Sequence, residues 1–321
     1  MSQVEATSQA VVTPGALESG ATTTAKLPRA RPKLKDTWWR HVVGVIGVVI
    51  SLFPVVYIVS SSFNAQNNLQ SAQVIPDHVT LRNFSDLLHN RIQGNTGAIQ
   101  DAPYLHWFLN SVLIAGCTAL FTTILGALAA YAFSRFRFRG RRLGMLTLLL
   151  IQMFPQLVAV AALYLIVQNI GGVFPQIGLD RQAAVVIVFL GGAMGVQAWL
   201  MKGFFDTIPV ELDESARVDG ATPAQIFWGV VMPLATPVLA VVALISFVFT
   251  LNEFVISSAL LQSTSHFTLP VGMNQLVNNQ YDQTWGPFTA GALLAAVPVV
   301  ILFLFLQRWI IGGLTQGAVK G

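Results

Sequence analysis

Six long apolar stretches divide the chain, and a polar segment separates each from the next. They run over about 42 to 62, 110 to 133, 144 to 168, 183 to 204, 234 to 254 and 289 to 309. A helix needs about 20 apolar residues to cross a bilayer, and every stretch has about that length. The pattern therefore predicts an all-α polytopic membrane protein with six transmembrane helices.

The polar segments define the remaining organisation. Residues 1 to 40 are rich in Ala, Thr, Ser, Gln and Pro, which predicts a disordered N-terminal tail before one membrane domain over 41 to 321. Segments 64 to 109 and 255 to 288 are long enough to meet a large partner on one side of the membrane. The first of these contains four apolar residues at helical spacing, which predict a short helix at the surface: Leu81, Phe84, Leu87 and Leu88.

The composition agrees with a membrane protein. The chain is 54% hydrophobic and 10% charged, with a mean hydropathy of +0.64, which lies outside the range of soluble domains. A single cysteine, Cys117, excludes an intrachain disulfide. The net charge of +4 could suit nucleic acid, but the basic residues flank the apolar stretches, so no nucleic-acid partner is expected.

The basic residues predict the orientation. Threading the six stretches from a cytoplasmic N-terminus leaves Arg82, Arg91 and Arg181 outside and every other Lys and Arg inside. The positive-inside rule is then obeyed, and both termini are predicted to be cytoplasmic. Five arginines fall within the eight residues from 135 to 142. They have the charge to bind anionic lipid, although orientation alone accounts for them.

Segment 206 to 233 is not explained by the need to cross a bilayer. Its sequence predicts two short helices with a sharp corner, because Gly220 stands where a helix usually stops. Thr222 is the predicted N-cap of the second helix, Pro223 occupies its first position, and Gln225 completes a capping box. The segment is therefore predicted to be a helical hairpin between two spans.

The two halves of the hairpin differ in character. The first half has five acids and a single basic residue, Arg217. The second half has an apolar stripe at helical spacing. Such a hairpin is predicted to offer a polar face and an apolar face to a partner. The acids are Asp206, Glu211, Asp213, Glu214 and Asp219, and the stripe is Ile226, Phe227, Val230 and Val231.

The run from Glu214 to Ala221, with Phe227 and the Val230 to Pro233 segment after it, resembles the EAA loop of binding-protein-dependent ABC importer permeases. Ser215 and Met232 replace the usual Ala and Leu. In that family the loop docks into a cleft of a cytoplasmic ATPase, which implies a type I importer permease fold. The implied ATPase-coupling residues are Glu214, Ser215, Ala216, Asp219, Gly220, Ala221, Phe227 and Pro233.

The end of the chain, from Gln307 to Gly321, is similar to that of MalG-type permeases, as are Trp199, Asn252 with Glu253, and segments 268 to 272 and 285 to 291. The resemblance implies that the C-terminal tail contacts the ATPase and that the 255 to 288 segment contacts a binding protein. The implied tail residues are Thr315, Gln316, Gly317 and Lys320, and the implied loop residues are Gln275, Asn278, Asn279 and Gln280.

The energy source must lie in another subunit. The chain contains no Gly-Lys dipeptide, so it lacks a phosphate-binding loop of the G-x-x-x-x-G-K-[ST] type. No cofactor and no enzyme activity are expected in this chain, and ATP with Mg²⁺ would be bound by partner subunits. The resemblance implies a second MalF-like permease, two copies of an ABC ATPase and an extracytoplasmic sugar-binding protein, all at the bacterial cytoplasmic membrane.

Polar residues within the stretches are candidates for a transport pathway: Gln152, Gln156, Asn252 and Glu253. Such residues more often form hydrogen bonds between helices, and Glu253 could instead reach the membrane interface. Pro155, with Gln152 and Gln156 beside it, could kink the third stretch. The five histidines have no metal-ligand spacing, so no metal site is predicted.

The leading hypothesis is a permease subunit for maltose or maltodextrin, with trehalose or another oligosaccharide as the alternative. An ion-coupled transporter would need mid-membrane carboxylates and repeated halves, and the sequence shows neither. A third hypothesis is a membrane sensor that couples a binding protein to an ATPase without moving solute. Uptake measured in vesicles would separate the three.

Overall fold

The computed structural model describes residues 34 to 65, 76, 78 to 93, 99 to 278 and 283 to 318. In these residues the helices and one small hairpin of strands make up the regular secondary structure, which confirms the all-α class. The elements are α1 (Leu34–Ser62), α2 (Arg82–Leu88), β1 (Arg91–Gln93), β2 (Ile99–Asp101), α3 (Tyr104–Arg135), α4 (Arg141–Gln152), α5 (Gln156–Val173), α6 (Gln182–Phe205), α7 (Val210–Val218), α8 (Pro223–Ile226), α9 (Met232–Leu234), α10 (Thr236–Leu251), α11 (Val255–Leu260), α12 (Leu269–Asn278) and α13 (Trp285–Ala318).

Three helices among the described residues are long and apolar enough to cross a membrane: Trp38–Ser62, Tyr104–Arg135 and Trp285–Ile310. Three bent pairs bring the total to six if each pair is one span, which agrees with the six predicted. The pairs are Arg141–Gln152 with Leu157–Val173, bent by 101°, Gln182–Gly192 with Met194–Phe205, bent by 48°, and Pro223–Leu234 with Thr236–Leu251, bent by 79°.

The third and fifth predicted spans are not continuous helices over their predicted lengths. The third is broken at Pro155, whose backbone is extended, because proline has no N–H for the helix and disfavours helical backbone in the residue before it. The fifth was predicted over 234 to 254, but α10 ends at Leu251. Asn252 and Glu253 therefore lie beyond its end.

The tail boundary was also placed too late. Residues 1 to 33 lie outside the described part of the chain, and α1 begins at Leu34. Residues 34 to 40, which were assigned to the tail, are therefore helical. Within the unit formed by residues 1 to 50, the apolar side chains described from Trp38 onward are exposed, as expected of a helix whose solvent is lipid.

Helix α3 is the centre of the second unit, residues 51 to 321. It packs along α6 and α10, while α10 also packs on α13, and α4 on α6. Gly126 allows α3 and α6 to approach closely, because a Cβ there would lie 3.3 Å from Met201 Cε and 3.4 Å from Gln197 Cβ. Small residues at such crossings are what allows membrane helices to pack without a hydrophobic driving force.

The two long polar segments fold into ordered elements where they are described. In 64 to 109 the predicted short helix is present as α2, with Leu87 fully buried and Leu81 and Leu88 exposed. The antiparallel pairing of β1 with β2 was not predicted. The 255 to 288 segment contains α11 and α12, because its apolar residues are buried against the spans, among them Ile256, Leu260, Met273 and Leu276.

Candidate functional site

The corner of the 206 to 233 hairpin has a complete helix-stop geometry. Gly220 has φ +82, the left-handed conformation that glycine adopts without a steric penalty. Ala221 N–H donates to the Ala216 carbonyl at 2.9 Å, and Gly220 N–H donates to the Arg217 carbonyl at 3.0 Å. These two bonds form a Schellman motif, which satisfies the last carbonyls of α7. The predicted stop at Gly220 is confirmed.

The second helix starts as predicted. Thr222 and Gln225 form a reciprocal capping box, in which Thr222 N–H donates to Gln225 Oε1 at 2.8 Å and Gln225 N–H donates to Thr222 Oγ1 at 3.4 Å. A π-helical turn, Phe227–Val231, follows α8. Such turns are rare and frequently occur at functional sites.

The hairpin joins the span α10 through a sharp bend. Pro237 has no N–H to donate to the Pro233 carbonyl one turn before it. The Thr236 hydroxyl donates to that carbonyl instead, at 2.7 Å. This side-chain hydrogen bond stabilises the 79° bend, and Ala235 at the bend is fully buried.

A buried ion pair holds α7 to the end of α3. Arg135 Nε lies 2.9 Å from Asp213 Oδ2, with the two side chains 4% and 0% exposed. The same guanidinium donates through Nη2 to the Ile208 carbonyl at 2.9 Å. Neither residue was predicted to be a site residue. In the sequence Arg135 is one of several basic residues that set the membrane orientation, and Asp213 is one of five acids in the hairpin. Burial, which distinguishes them, is not visible in the sequence.

A second polar contact holds the start of the hairpin. Asp206 accepts a hydrogen bond from Ser134 Oγ at 2.6 Å and forms an ion pair with Lys202. Burial raises the pKa of the Asp206 carboxyl, but the bonds from Lys202 and Ser134 more than offset this, so that its pKa is below the usual value. The hairpin is thus attached to three spans, including α3, and not only to the two it connects.

The apolar stripe of the hairpin is used within the chain. Ile226, Phe227 and Val231 are buried in a cluster with Tyr131 of α3 and Phe205 of α6. The expectation that the apolar face is offered to a partner is therefore wrong. Phe227 lies 5.1 Å from Tyr131 between ring centroids, so it anchors the hairpin to the spans, and Ala216 and Ala221 pack on the same cluster.

The exposed face of the hairpin contains the remaining predicted coupling residues. Glu214, Ser215 and Asp219 are exposed, as are Gly220 and Pro233. Val218 on the same helix is 88% exposed. A large apolar side chain left this open beside carboxylates is typical of a surface that another protein covers. Val218 was not among the residues predicted from the sequence, because its exposure depends on the fold.

We expect Gly220→Val to disrupt the corner. A β-branched residue in the left-handed region costs more than about 1 kcal/mol, and the strain would break the two Schellman bonds. Gly203→Ala on α6 is the matched control, because a Cβ there has nothing within 4 Å. Hydrogen exchange of the Gly220 and Ala221 amides measures the effect. Equal protection of position 220 and Ala221 in Gly220→Val and in the parent would contradict it.

The glutamines predicted for the pathway lie at the break in the third span. Gln152 Nε2 donates to the Gly192 carbonyl, at the bend of α6, and a Cβ on Gly195 would meet the Leu148 carbonyl at 2.9 Å and Gln152 Nε2 at 3.0 Å. Gln152 therefore joins the end of α4 to the bend of α6. Gln156 is the first residue of α5. A pathway role for either stays a prediction.

Asn252 and Glu253 lie between α10 and α11. Glu253 is 8% exposed, and its carboxylate accepts hydrogen bonds from Ile256 N–H at 2.7 Å and from Ser257 N–H at 3.1 Å. It therefore caps the start of α11 and does not reach outward to an interface. Asn252 Nδ2 donates to the Val248 carbonyl at 2.8 Å. Their part in a pathway also stays a prediction.

At the end of the spans away from the hairpin, Asp180 ties the α5–α6 connection to the segment after α11. Its backbone is left-handed, with φ 60, and its carboxylate accepts from Gln262 N–H at 2.9 Å, Ser263 N–H at 2.8 Å and the Ser263 hydroxyl. His266 Nδ1 lies 3.0 Å from Asp180 Oδ2. Burial raises the pKa of Asp180, but the bonds from Ser263, Gln262 and His266 outweigh it and hold the pKa well below its usual range.

This clamp is expected to weaken in acid. Because the pKa of Asp180 is lower in the folded state than in the unfolded state, its stabilisation is complete above the ordinary value of about 4 and is lost as the pH falls below it. The difference in unfolding temperature between the parent and Asp180→Asn, measured at about pH 5 and about pH 3, should therefore shrink at the lower pH. A difference that is constant or grows would contradict the assignment.

The residues predicted to meet a binding protein divide into two groups. Gln275 and Asn278 are exposed on α12, whose opposite face buries Val271 and Leu276. Asn279 and Gln280 lie outside the described residues.

The residues predicted for the ATPase-contacting tail lie at the end of the chain. Thr315, Gln316 and Gly317 fall in the last helical turns of α13, and Lys320 lies outside the described part. Among the residues that were described, no three His, Cys, Asp or Glu form a metal-binding group.

The fold and the hairpin define a class: a polytopic membrane subunit that presents a rigidly mounted helical hairpin. The sequence profile of the binding-protein-dependent transport system inner membrane component matches residues 122 to 315, and the chain belongs to this family. The maltose/maltodextrin transport system permease protein MalG of Vibrio vulnificus (strain YJ016) is 37% identical over 286 residues, 88% of this chain and 96% of that protein. The MalG-type resemblance is confirmed.

Two further comparisons agree. The galactooligosaccharides transport system permease protein GanQ of Bacillus subtilis (strain 168) is 37% identical over 273 residues, 85% of this chain and 92% of that protein. A chain of a bacterial ABC transporter involved in the import of the polysaccharide alginate has a TM-score of 0.70 at 21% identity, covering 88% of this chain and 99% of that one. The second comparison shows the shared fold.

Proposed function

We propose that the chain is a membrane permease subunit of an ABC importer for an oligosaccharide, and that maltose or maltodextrin is its substrate. The observation that carries the proposal is the hairpin: its exposed acidic face is free to dock, while buried contacts fix its other side to three spans. A surface mounted in this way can pass a movement on to the membrane helices.

The substrate class rests on the relatives. MalG of Vibrio vulnificus and GanQ of Bacillus subtilis are equally identical to this chain, at 37%. Their names specify maltose or maltodextrin and galactooligosaccharides, respectively. Maltose or maltodextrin is favoured because the match to MalG covers slightly more of the chain, 88% against 85%. A galactooligosaccharide is the second candidate, because GanQ is as identical to this chain as MalG is.

The mechanism follows from the geometry. An ATPase that closes on the exposed face of α7 would displace the hairpin, and Arg135, Asp206 and the Phe227 cluster would carry the displacement into α3, α6 and α10. Coupling of this kind requires contacts that differ between two states. Glu214 and Asp219 supply charges for such contacts, and Val218 supplies an apolar one.

We infer the partners from the family and the orientation from the distribution of basic residues. Two ATPase copies, a second permease and an extracytoplasmic binding protein complete the assembly, and ATP with Mg²⁺ is bound by the ATPase. The hairpin and both termini lie on the cytoplasmic side, which agrees with the excess of basic residues there. The exposed polar face of α12, with Gln275 and Asn278, then lies outside and meets the binding protein.

The proposal is tested by reconstituting the chain with its partner subunits in liposomes. We expect uptake of labelled maltotriose that requires ATP inside and the binding protein outside. Galactooligosaccharide and trehalose, each offered with the same binding protein, separate the substrate candidates. Uptake by the lone chain in an ion gradient, or ATP hydrolysis without any solute movement, would refute it.

We expect Glu214→Lys to uncouple the importer. The substitution reverses a charge on the exposed face of α7. A like-charge contact at an interface costs several kcal/mol, and each 1.4 kcal/mol weakens docking about tenfold. Membrane insertion should be unchanged, while uptake falls more than about tenfold. Glu214→Gln, which removes the charge without reversing it, is the matched comparison and should lose less uptake than Glu214→Lys. Normal uptake by Glu214→Lys would count against docking at this face.

A further inference from the structure

The connection between α3 and α4 exposes an unusual alternation of arginine and phenylalanine. From Phe136 the backbone is extended, so successive side chains point in opposite directions. Phe136 packs on Tyr131 and Phe138 on Phe133, with ring centroids 5.6 Å and 5.5 Å apart. The aromatic rings hold the connection against the end of α3, and the arginines between them point away.

Three of the five arginines have no partner among the residues that the structure describes. Arg135 is paired with Asp213, and Arg141 Nη2 donates to the Ser134 carbonyl at 3.4 Å. No hydrogen bond or ion pair joins Arg137, Arg139 or Arg142 to the described part of the chain. Three unneutralised guanidinium groups within six residues form a cationic patch at the end of the membrane spans.

An open groove continues from this patch between α4 and α6. It has a volume of about 590 Å³. Arg141, Arg142 and Lys202 form its charged end, and Met145, Leu146, Leu149 and Trp199 form its apolar walls. Lys202 is already paired with Asp206. The cationic end therefore lies beside the hairpin, and the apolar part extends along two membrane-spanning helices.

Arg137, Arg139 and Arg142 line an adjoining open cavity, which shares Arg141 and Arg142 with the groove. We propose that the two together bind an anionic phospholipid, with the phosphate headgroup held by Arg137, Arg139 and Arg142 and an acyl chain lying along Met145, Leu149 and Trp199. Charge complementarity selects an anionic headgroup. Arginine binds phosphate through two parallel N–H bonds, and tryptophan favours the boundary between headgroups and acyl chains. Phe136 and Phe138, both about half exposed, suit the same boundary. The site goes beyond the proposed transport function and does not depend on it.

The test is native mass spectrometry of the purified importer complex. Phosphatidylglycerol and phosphatidylcholine with identical acyl chains are added in turn, and the bound copies are counted. We expect phosphatidylglycerol to be retained in preference. The triple variant Arg137→Gln, Arg139→Gln, Arg142→Gln should bind it about a hundredfold more weakly, which corresponds to about fivefold for each charge.

Three further variants keep the result decisive. The same triple change to Lys preserves the charge and the orientation, and should retain most of the binding. Arg82→Gln with Arg91→Gln and Arg181→Gln removes three charges elsewhere and should bind like the parent. Leu149→Trp fills the groove without changing charge and should also lose the lipid.

Equal retention of phosphatidylglycerol and phosphatidylcholine would contradict the proposed lipid site. So would unchanged retention by the triple Gln variant. If Leu149→Trp retained the lipid, the groove would not hold the acyl chain, and the proposal would again be wrong.

Discussion

Asp213→Ala should destabilise the protein by about 3 to 5 kcal/mol. The substitution leaves the Arg135 guanidinium, whose side chain is 4% exposed, without its counter-ion in a buried position. The cost of an unpaired buried charge is larger than the net value of the pair itself. Loss of the pair also frees α7 from α3, so we expect uptake to fall further than the loss of folded protein explains. The measurement is the free energy of unfolding of the purified chain, with uptake per folded complex.

Two variants separate the pair from its surroundings. Asp219→Ala removes an exposed acid from the same hairpin and should change stability by less than about 0.5 kcal/mol. Arg135→Met with Asp213→Leu replaces both charges by apolar groups and should recover much of the stability. If Asp213→Ala unfolds no more easily than Asp219→Ala, the pair does not hold the hairpin.

Gly272→Ala is expected to produce the second large effect. A Cβ at this position of α12 would lie 2.1 Å from Cδ2 and 2.3 Å from Cε3 of Trp107. The ring cannot move aside easily, because it is 1% exposed and its Nε1 donates to the Thr264 carbonyl at 2.8 Å. Overpacking of a filled core typically costs about 1 to 3 kcal/mol, and we expect the upper part of that range. The measurement is the unfolding temperature.

The control for this prediction is Gly291→Ala. There the nearest obstacle is the flexible end of Met273, with Cε at 2.6 Å, so a smaller loss is expected. Because α12 carries Gln275 and Asn278, Gly272→Ala should also weaken stimulation by the binding protein. A second change, Trp107→Leu, should restore part of the stability. Equal stability of Gly272→Ala and the parent would show that α12 does not pack on Trp107 in this way.

The apolar pattern along the sequence was sufficient for the number of spans, because crossing a bilayer imposes a length and a composition that can be counted residue by residue. The hairpin could also be predicted from the sequence. Its stop at Gly220 and its capping box at Thr222 depend on neighbours in sequence, and local backbone chemistry is the same in any fold. The basic residues, too, predicted an orientation without any tertiary information.

Whether a polar residue is buried, and against what, was decided by the tertiary structure alone. Arg135 and Asp213 are far apart in sequence and look like ordinary surface charges until α3 and α7 meet. The apolar stripe with Phe227 was visible, but a helical stripe has the same pattern whether it covers a partner or its own spans. Glu253 similarly became a helix cap only because α10 ends one residue before Asn252. The sequence by itself determined what crosses the membrane and where the hairpin turns, because both depend on local rules. Contacts between distant segments determined how the hairpin is mounted, because burial is a property of the packed chain.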